Sequence, residues 1–133
     1  MFKDTKAFSG FSVSDITTAK VFYGTVLGLE IEELKKPMPM LLLHLATGGD
    51  VLVYPKGDDH TPATYTVLNF PVSDINAAVQ ELTSKGVDFI HLENDDMPQD
   101  EMGIMRGLSA NMGPDIAWFK DPAGNVLAIL QES

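Results

Sequence analysis

One four-residue string occurs twice in this chain and constrains its architecture. Residues 13–16 read Val-Ser-Asp-Ile, and residues 72–75 repeat them 59 positions later. Two flanking identities keep the same offset: Phe11 with Phe70, and Ala19 with Ala78. Repetition at a fixed offset is typical of a duplicated supersecondary unit. The sequence therefore predicts two similar half-folds, which together would enclose a cavity that neither forms alone.

A second repeat lies near the end of each half. Residues 49–52 read Gly-Asp-Val-Leu, and residues 124–127 answer them with Gly-Asn-Val-Leu, 75 positions later. Glycine followed by Asp or Asn and then by β-branched and apolar residues is typical of a hairpin turn entering a strand. Each half is thus predicted to end in a hairpin.

Composition narrows the class of protein. The 133 residues and 44% hydrophobic content suit one compact domain, residues 1–133, with a real core. The net charge of −10 and the lack of a clustered basic surface argue against nucleic-acid binding. We find no apolar run of membrane-spanning length and no signal-peptide pattern, so we expect a cytoplasmic protein. Without cysteine, the chain has no thiolate metal ligand and no cysteine nucleophile.

Hydrophobic periodicity predicts the elements of the first half, about residues 5–56. Residues 7–13 alternate as a strand, and Ser14 or Asp15 caps a helix that Gly28 ends. A second strand at 29–34 and a hairpin of 41–46 with 51–54 follow.

The second half, about residues 64–133, repeats this order after a linker at about 57–63. Strands are predicted at 65–72, 87–92, 116–120 and 126–130, with a helix at 74–85. A long loop at 94–114 has no counterpart in the first half. Five acidic residues between Glu93 and Glu101 are read as a solvated run, with a calcium site as the alternative. The predicted fold class is α+β: two tandem βαβββ modules forming a partly closed mixed sheet.

Strand alternation predicts which side chains line the concave face. Phe11, Val13, Leu68, Phe70 and Val72 are expected to cover the helices. The opposite face then carries the remaining strand residues: Phe8, Gly10, Ser12, Val67 and Asn69. Pairing Ala46 with Val51 would place His44 opposite Val53, and pairing Phe119 with Leu127 would place Trp118 opposite Ala128. A slip of one residue would reverse these faces.

Two segments resemble a known family. The first part of the chain and its C-terminal part both resemble the vicinal oxygen chelate superfamily. The matching residues are 11–16, Phe22-Tyr23 and 26–29 in the first part, and 119–127 near the C-terminus. That superfamily includes glyoxalase I, extradiol dioxygenases, fosfomycin-resistance enzymes and bleomycin-binding resistance proteins. The resemblance implies the paired βαβββ fold more directly than a function, because one scaffold hosts many chemistries.

The resemblance also identifies four positions at which family enzymes typically place His, Glu or Gln around a divalent metal. Here they fall on Phe8, Val53, Val67 and Ala128, all apolar. Their immediate neighbours include no histidine or carboxylate. Since hydrocarbon cannot coordinate a divalent ion, we expect no metal and predict no cofactor.

The expected ligand-binding residues combine apolar and polar groups, with no catalytic residue assigned. His44 is a base or ligand partner, or else a structural histidine. Arg106 is interpreted as binding a carboxylate or phosphate of the ligand, or else as an ordinary loop arginine. The methionines of the same loop suit an adaptable lid. No histidine partner for Ser12 is evident, so a nucleophilic triad is not favoured. The full set is Phe8, Ser12, His44, Val53, Val67, Asn69, Arg106, Trp118 and Ala128.

We therefore expect a metal-free, homodimeric protein that binds a small hydrophobic or aromatic molecule, with bleomycin-binding proteins as precedent. One alternative is a metal-dependent lyase, isomerase or dioxygenase using non-standard ligands such as His44 and His91. Another is a structural or regulatory module whose cavity is filled by its own side chains.

Overall fold

The structure, a computed structural model, describes residues 1–92 and 98–133. The first half of the acidic run and the start of the predicted 94–114 loop lie outside the described residues. The chain divides into two compact units, residues 1–62 and 63–133. The division falls inside the predicted linker. Among the described residues, no helix has the length and apolar character needed to cross a lipid bilayer.

Unit 1 contains four strands and one helix in βαβββ order. Its sheet has the strand order β1-β4-β3-β2, in which β1 and β4 are parallel and the other pairs antiparallel. The elements are β1 (Ser9–Val13), α1 (Ile16–Lys20) continued by a π-helical segment (Val21–Val26), β2 (Glu30–Leu34), β3 (Met40–His44) and β4 (Asp50–Pro55).

The helix of unit 1 begins at a side-chain cap, as the sequence indicates. The Asp15 carboxylate accepts hydrogen bonds from the Thr18 hydroxyl and from the Thr18 N–H at 3.0 Å. These bonds, led by the hydroxyl, hold the pKa of Asp15 below its ordinary value. At the other end, Leu27 N–H donates to the Phe22 carbonyl five residues back, the pattern of a π-helix.

One face of the unit 1 sheet packs on this helix. Phe11 and Val13 are buried as predicted, and so are the side chains of the neighbouring strands on that face: Leu41, Leu43, Val51 and Val53. The Tyr23 ring lies 5.8 Å from that of Phe11 and 5.2 Å from that of Phe22, centroid to centroid. These contacts form the unit's core.

Unit 2 repeats the order. Its sheet has the strand order β5-β8-β7-β6, so the predicted tandem βαβββ fold is confirmed as two four-stranded mixed sheets, neither of them closed. The elements are β5 (Thr66–Pro71), α2 (Ile75–Ser84), β6 (Met105–Arg106), β7 (Asp115–Lys120) and β8 (Val126–Gln131). Asp74 caps α2, accepting a hydrogen bond from Ala77 N–H at 3.1 Å.

The predicted strand at residues 87–92 is wrong. Among the described residues, the backbone of this segment pairs with β7 only at a single bridge, Phe89 to Phe119, and through a hydrogen bond from Ile90 N–H to the Trp118 carbonyl. The other end of β7 pairs instead with β6, which lies inside the predicted loop. Two short segments therefore share the edge that one strand covers in unit 1.

The predicted register of the first hairpin is also wrong. Val53 pairs with Leu41 and His44 with Asp50, so Val53 does not lie opposite His44. Val53 has no exposed surface and belongs to the helix-covered face. The register differs by three residues, an odd number, so the side chains of β4 lie on the faces opposite to those predicted, while His44 keeps its predicted face. The second hairpin follows the predicted register, with Trp118 opposite Ala128.

Candidate functional site

Each sheet has one face turned away from its helix, which we call its open face. In unit 1 the open face carries Gly10, Ser12, Leu42, His44, Leu52 and Tyr54. In unit 2 it carries Asn69, Ile116, Trp118, Ala128 and Leu130. Apart from the exposed Gly10 and Asn69 and the buried Ala128, these residues are half-buried.

The two hairpin turns show which positions of the units correspond. Gly48 and Gly124 both adopt positive φ, at 93° and 85°. If these two glycines are equivalent, the offset between the two hairpins is 76 positions rather than the 75 of the textual repeat. Leu52, not Val53, then corresponds to Ala128. In agreement, Leu52 pairs with Gly10 in unit 1 as Ala128 pairs with Asn69 in unit 2.

The four positions equivalent to family metal ligands therefore hold Phe8, Leu52, Val67 and Ala128. None has a side-chain atom that can donate an electron pair to a divalent cation, so these side chains do not fit the family's metal centre. In residues 1–92 and 98–133, no group of three or more His, Asp or Glu side chains is arranged to hold a metal ion.

The open face of unit 2 is apolar around the chain's single tryptophan. Trp118 is half-buried and lies opposite Ala128 on the neighbouring strand. Ala128 has no exposed surface, so solvent does not reach it directly. Asn69 is exposed on the neighbouring strand. Val67 lies where the register of β5 and β8 shifts between Thr66 and Leu68. This face offers one aromatic ring and one amide.

A histidine that the sequence analysis did not select contacts the open face of unit 1. His60 follows a 3₁₀ turn (Gly57–Asp59), and its Nδ1 lies 2.8 Å from the Ser12 Oγ. Ser12 therefore has a histidine partner that was not evident in the sequence. Ser12 also pairs with Tyr54 across the strands, so a hydroxyl, a phenol and an imidazole lie in one part of this face.

His44 lies on the same face, held between acidic side chains. Its Nδ1 is 2.7 Å from Asp50 Oδ1, and its Nε2 is 3.3 Å from Glu32 Oε1. Glu30 lies opposite it on β2. The Asp50 bond is the main reason that the pKa of His44 is raised, with Glu32 adding to it and partial desolvation opposing it. Both ring nitrogens of His44 therefore contact carboxylates, an arrangement that favours the structural interpretation of this residue.

Arg106 is engaged rather than free to grip an anion. Its guanidinium contacts Asp100 Oδ2 through Nε and one terminal nitrogen, at 3.0 and 2.8 Å. The two terminal nitrogens also donate to Asp115 at 3.3 Å and to the Asn76 carbonyl oxygen at 2.6 Å. Two carboxylates thus neutralise this arginine.

The structure sorts the predicted residues into groups. Ser12 and His44 lie on the open face of unit 1, and Phe8, directly before β1, is 67% exposed. Asn69, Trp118 and Ala128 lie on the open face of unit 2, whereas Val53 is in a core. Sequence reasoning missed the residues Leu42, Leu52, Tyr54 and His60. Strand alternation puts Leu42 on the face predicted for His44. Aligning Gly48, rather than Gly49, with Gly124 would have placed Leu52 and Tyr54 on this face.

Comparison with known proteins agrees with this geometry. A sequence model of the glyoxalase/bleomycin resistance protein/dioxygenase superfamily matches residues 8–129. The chain belongs to this superfamily. A comparison with curated protein sequences finds no match.

Solved structures share the fold of this superfamily member over nearly their whole length. TnmS3, an antibiotic binding protein from Streptomyces sp. CB03234, is 21% identical with 98% of each chain covered and a TM-score of 0.67. The oxidase ChaP-H2 is 20% identical over 97% of this chain and 95% of that chain, with a TM-score of 0.67. FosX, a fosfomycin resistance protein from Listeria monocytogenes, is 13% identical over 96% and 92%, with a TM-score of 0.66. At these identities the likeness shows the fold alone.

Proposed function

We propose that this superfamily member binds a small hydrophobic or aromatic molecule on its open sheet faces without a metal ion. We further propose that it acts as a homodimer in the cytoplasm. Two proteins with its fold are described as an antibiotic binding protein and a fosfomycin resistance protein, which supports small-molecule recognition as a use of this scaffold.

The proposal rests on one observation: apolar side chains stand where relatives have metal-coordinating side chains. Phe8, Leu52, Val67 and Ala128 take the positions where the family's metal ligands would stand, and Trp118 lies beside Ala128. Apolar ligand surface that is buried against the open face of either unit contributes about 25 cal/mol of favourable free energy for each Å² removed from water. These four hydrocarbon side chains cannot hold a metal ion that would polarise an oxygen of the bound molecule. Each open face therefore suits binding rather than metal-assisted catalysis.

Polar groups at the margins would orient the ligand. The Asn69 amide both donates and accepts hydrogen bonds, and it is exposed. On the open face of unit 1, Ser12 and His60 hold one another at 2.8 Å, which presents them as a fixed pair. A neutral ring that carries one hydroxyl or carbonyl group matches the apolar open face of unit 2 and its exposed amide.

Trp118 makes the test direct because it is the only tryptophan. We would titrate the protein with neutral aromatic compounds and follow tryptophan-selective fluorescence. We expect saturable quenching or enhancement that is unchanged by a chelator. Asn69→Asp should weaken binding by about tenfold, because it places an unpaired charge on the face. Gln80→Glu makes the same charge change at an exposed position of α2 and should have no effect.

Failure has a clear form. If no compound in a broad neutral panel alters Trp118 emission saturably, or if Gln80→Glu matches Asn69→Asp, the open face of unit 2 is not the binding surface. A filled, structural module would give the first result. A metal-dependent enzyme would instead lose its ligand response on chelation.

A further inference from the structure

A separate pocket of 440 Å³ lies in unit 2, in the segment between α2 and β7. Its apolar wall is formed by Pro98, Met105, Ala110 and Met112. Met112 is 78% exposed, although methionine usually packs in apolar surroundings. The volume lies within the range of small-molecule sites. Trp118 and Ala128 are not among the residues that line it.

The polar groups of the pocket are occupied by their own chain. The Gln99 side chain accepts a hydrogen bond from Leu92 N–H and donates to the carbonyls of Ile90 at 3.0 Å and Gly103 at 2.7 Å. Its two donors are therefore both used, and its carbonyl oxygen already has a partner. The Gln99 side chain thus joins the backbone around residues 90–92 to that of Gly103.

The charged pair in the pocket is equally committed. Asp100 Oδ1 accepts from the N–H groups of Met102 and Ile104, both at 2.9 Å, and Oδ2 accepts from Arg106. Burial raises the pKa of Asp100, but these hydrogen bonds outweigh it and the pKa lies below its ordinary value. Arg106 in turn contacts Asp115 and Asn76. An incoming anion or cation would have to displace an existing partner.

We propose that this pocket binds a small, uncharged, apolar molecule at a site distinct from the open sheet faces. Apolar side chains supply the contact area, and the polar side chains among the described lining residues are already paired, so that a charge bound against them would be left unpaired. The Arg106 network fixes the wall in place, so little ordering is required on binding. The proposal does not depend on ligand binding at Trp118.

Methionine oxidation provides a local readout. Dilute hydrogen peroxide converts exposed methionine to the sulfoxide, and mass spectrometry follows each residue separately. With indole as probe, we expect saturable protection of Met112 and Met105. Met1 and Met38, exposed in unit 1, should oxidise at an unchanged rate and serve as internal controls. Indole-3-acetate and tryptamine carry opposite charges on the same ring, and each should protect about tenfold less well.

A pair of matched variants tests the location. Ala110→Trp fills the pocket from an exposed position and should abolish the indole-dependent protection, whereas Ala46→Trp adds the same side chain to an exposed turn of unit 1 and should leave it intact. Protection that survives Ala110→Trp, equal protection by either charged analogue, or no protection by indole would each overturn the proposal. Loss of Trp118 response with retained Met112 protection would reject the open-face function alone.

Discussion

The Ser12 hydroxyl lies 2.8 Å from His60 Nδ1, joining two residues that are 48 positions apart. The contact anchors the segment after β4 to β1, the edge strand of its sheet. A second bond, from Lys56 N–H to the Val13 carbonyl at 2.9 Å, begins the same return of the chain. The histidine is thereby held beside a face that we propose for ligand binding.

This pair should be measurable in a double-mutant cycle. Ser12→Ala and His60→Ala should each lower the free energy of unfolding by about 1 kcal/mol, and the double variant by little more than either. Urea denaturation monitored by circular dichroism gives the values. Ser14→Ala, an exposed serine beside the Asp15 cap, should change stability by less than about 0.5 kcal/mol. Fully additive losses would show that the two side chains do not interact.

The His44 cluster predicts a specific pH response. Because its pKa is raised above the ordinary 6.5, protonated His44 contributes stability that is complete below that pH and is lost as pH rises through the folded-state pKa. Nuclear magnetic resonance titration of the ring should show Asp50→Asn lowering this pKa more than Glu32→Gln, since Asp50 is the larger cause.

Glu33→Gln provides the matched control for the His44 titration. Glu33 lies on the same strand as Glu32 but pairs with Lys20 at 3.0 Å. Removing its charge should leave the His44 titration nearly unchanged. An equal shift from Glu33→Gln would mean that net charge, rather than the two contacts, raises the pKa.

Arg106 should be structural rather than anion-binding. Arg106→Gln leaves the carboxylates of Asp100 and Asp115 without a cation, and we expect a loss of about 2 kcal/mol in unfolding free energy. Arg106→Lys should recover less than half of this loss, because an ammonium cannot reproduce the forked contacts to three side chains. Lys120→Gln, at an exposed lysine of β7, is the control. Wild-type stability in Arg106→Gln would contradict the network.

Gly107 should tolerate no side chain. A Cβ there would clash with the backbone oxygens of Pro114 and Gly113, which cannot rotate away. Gly107→Ala should cost about 2 to 3 kcal/mol by thermal or urea denaturation. Gly49→Ala, whose nearest contact would be the Thr47 hydroxyl at 3.6 Å, should be nearly neutral. Similar stability of the two variants would show that the 107–114 turn is not packed as described.

Much of the fold was predictable because local signals agreed. The repeated junction at residues 13–16 and 72–75 combines strand alternation with an aspartate cap, and both Asp15 and Asp74 cap helices. Positive φ at Gly28 and Gly86 likewise matches their position after the helices. These signals depend on residues close in sequence, so sequence alone conveys them.

The errors arose where the position of a side chain depends on how separate segments of the chain pair with one another. The textual match of Gly49 with Gly124 made Val53 the counterpart of Ala128, whereas the backbone conformation equates Gly48 with Gly124 and gives Leu52. The assumed pairing of Ala46 with Val51 was a separate error, and it placed Val53 opposite His44. The His60 contact depends on a turn that returns the chain to β1, and no periodic pattern reports such a return. The Arg106 contacts likewise join a loop to α2.

Metal content tests the central claim most directly. We would dialyse the purified protein against Zn²⁺, Ni²⁺, Mn²⁺ or Fe²⁺, remove free ions, and quantify metal per chain by mass spectrometry alongside the Trp118 titration. We predict substoichiometric metal in every case and ligand binding that a chelator does not alter. One tightly held ion per chain, lost on His44→Ala together with the ligand response, would contradict it.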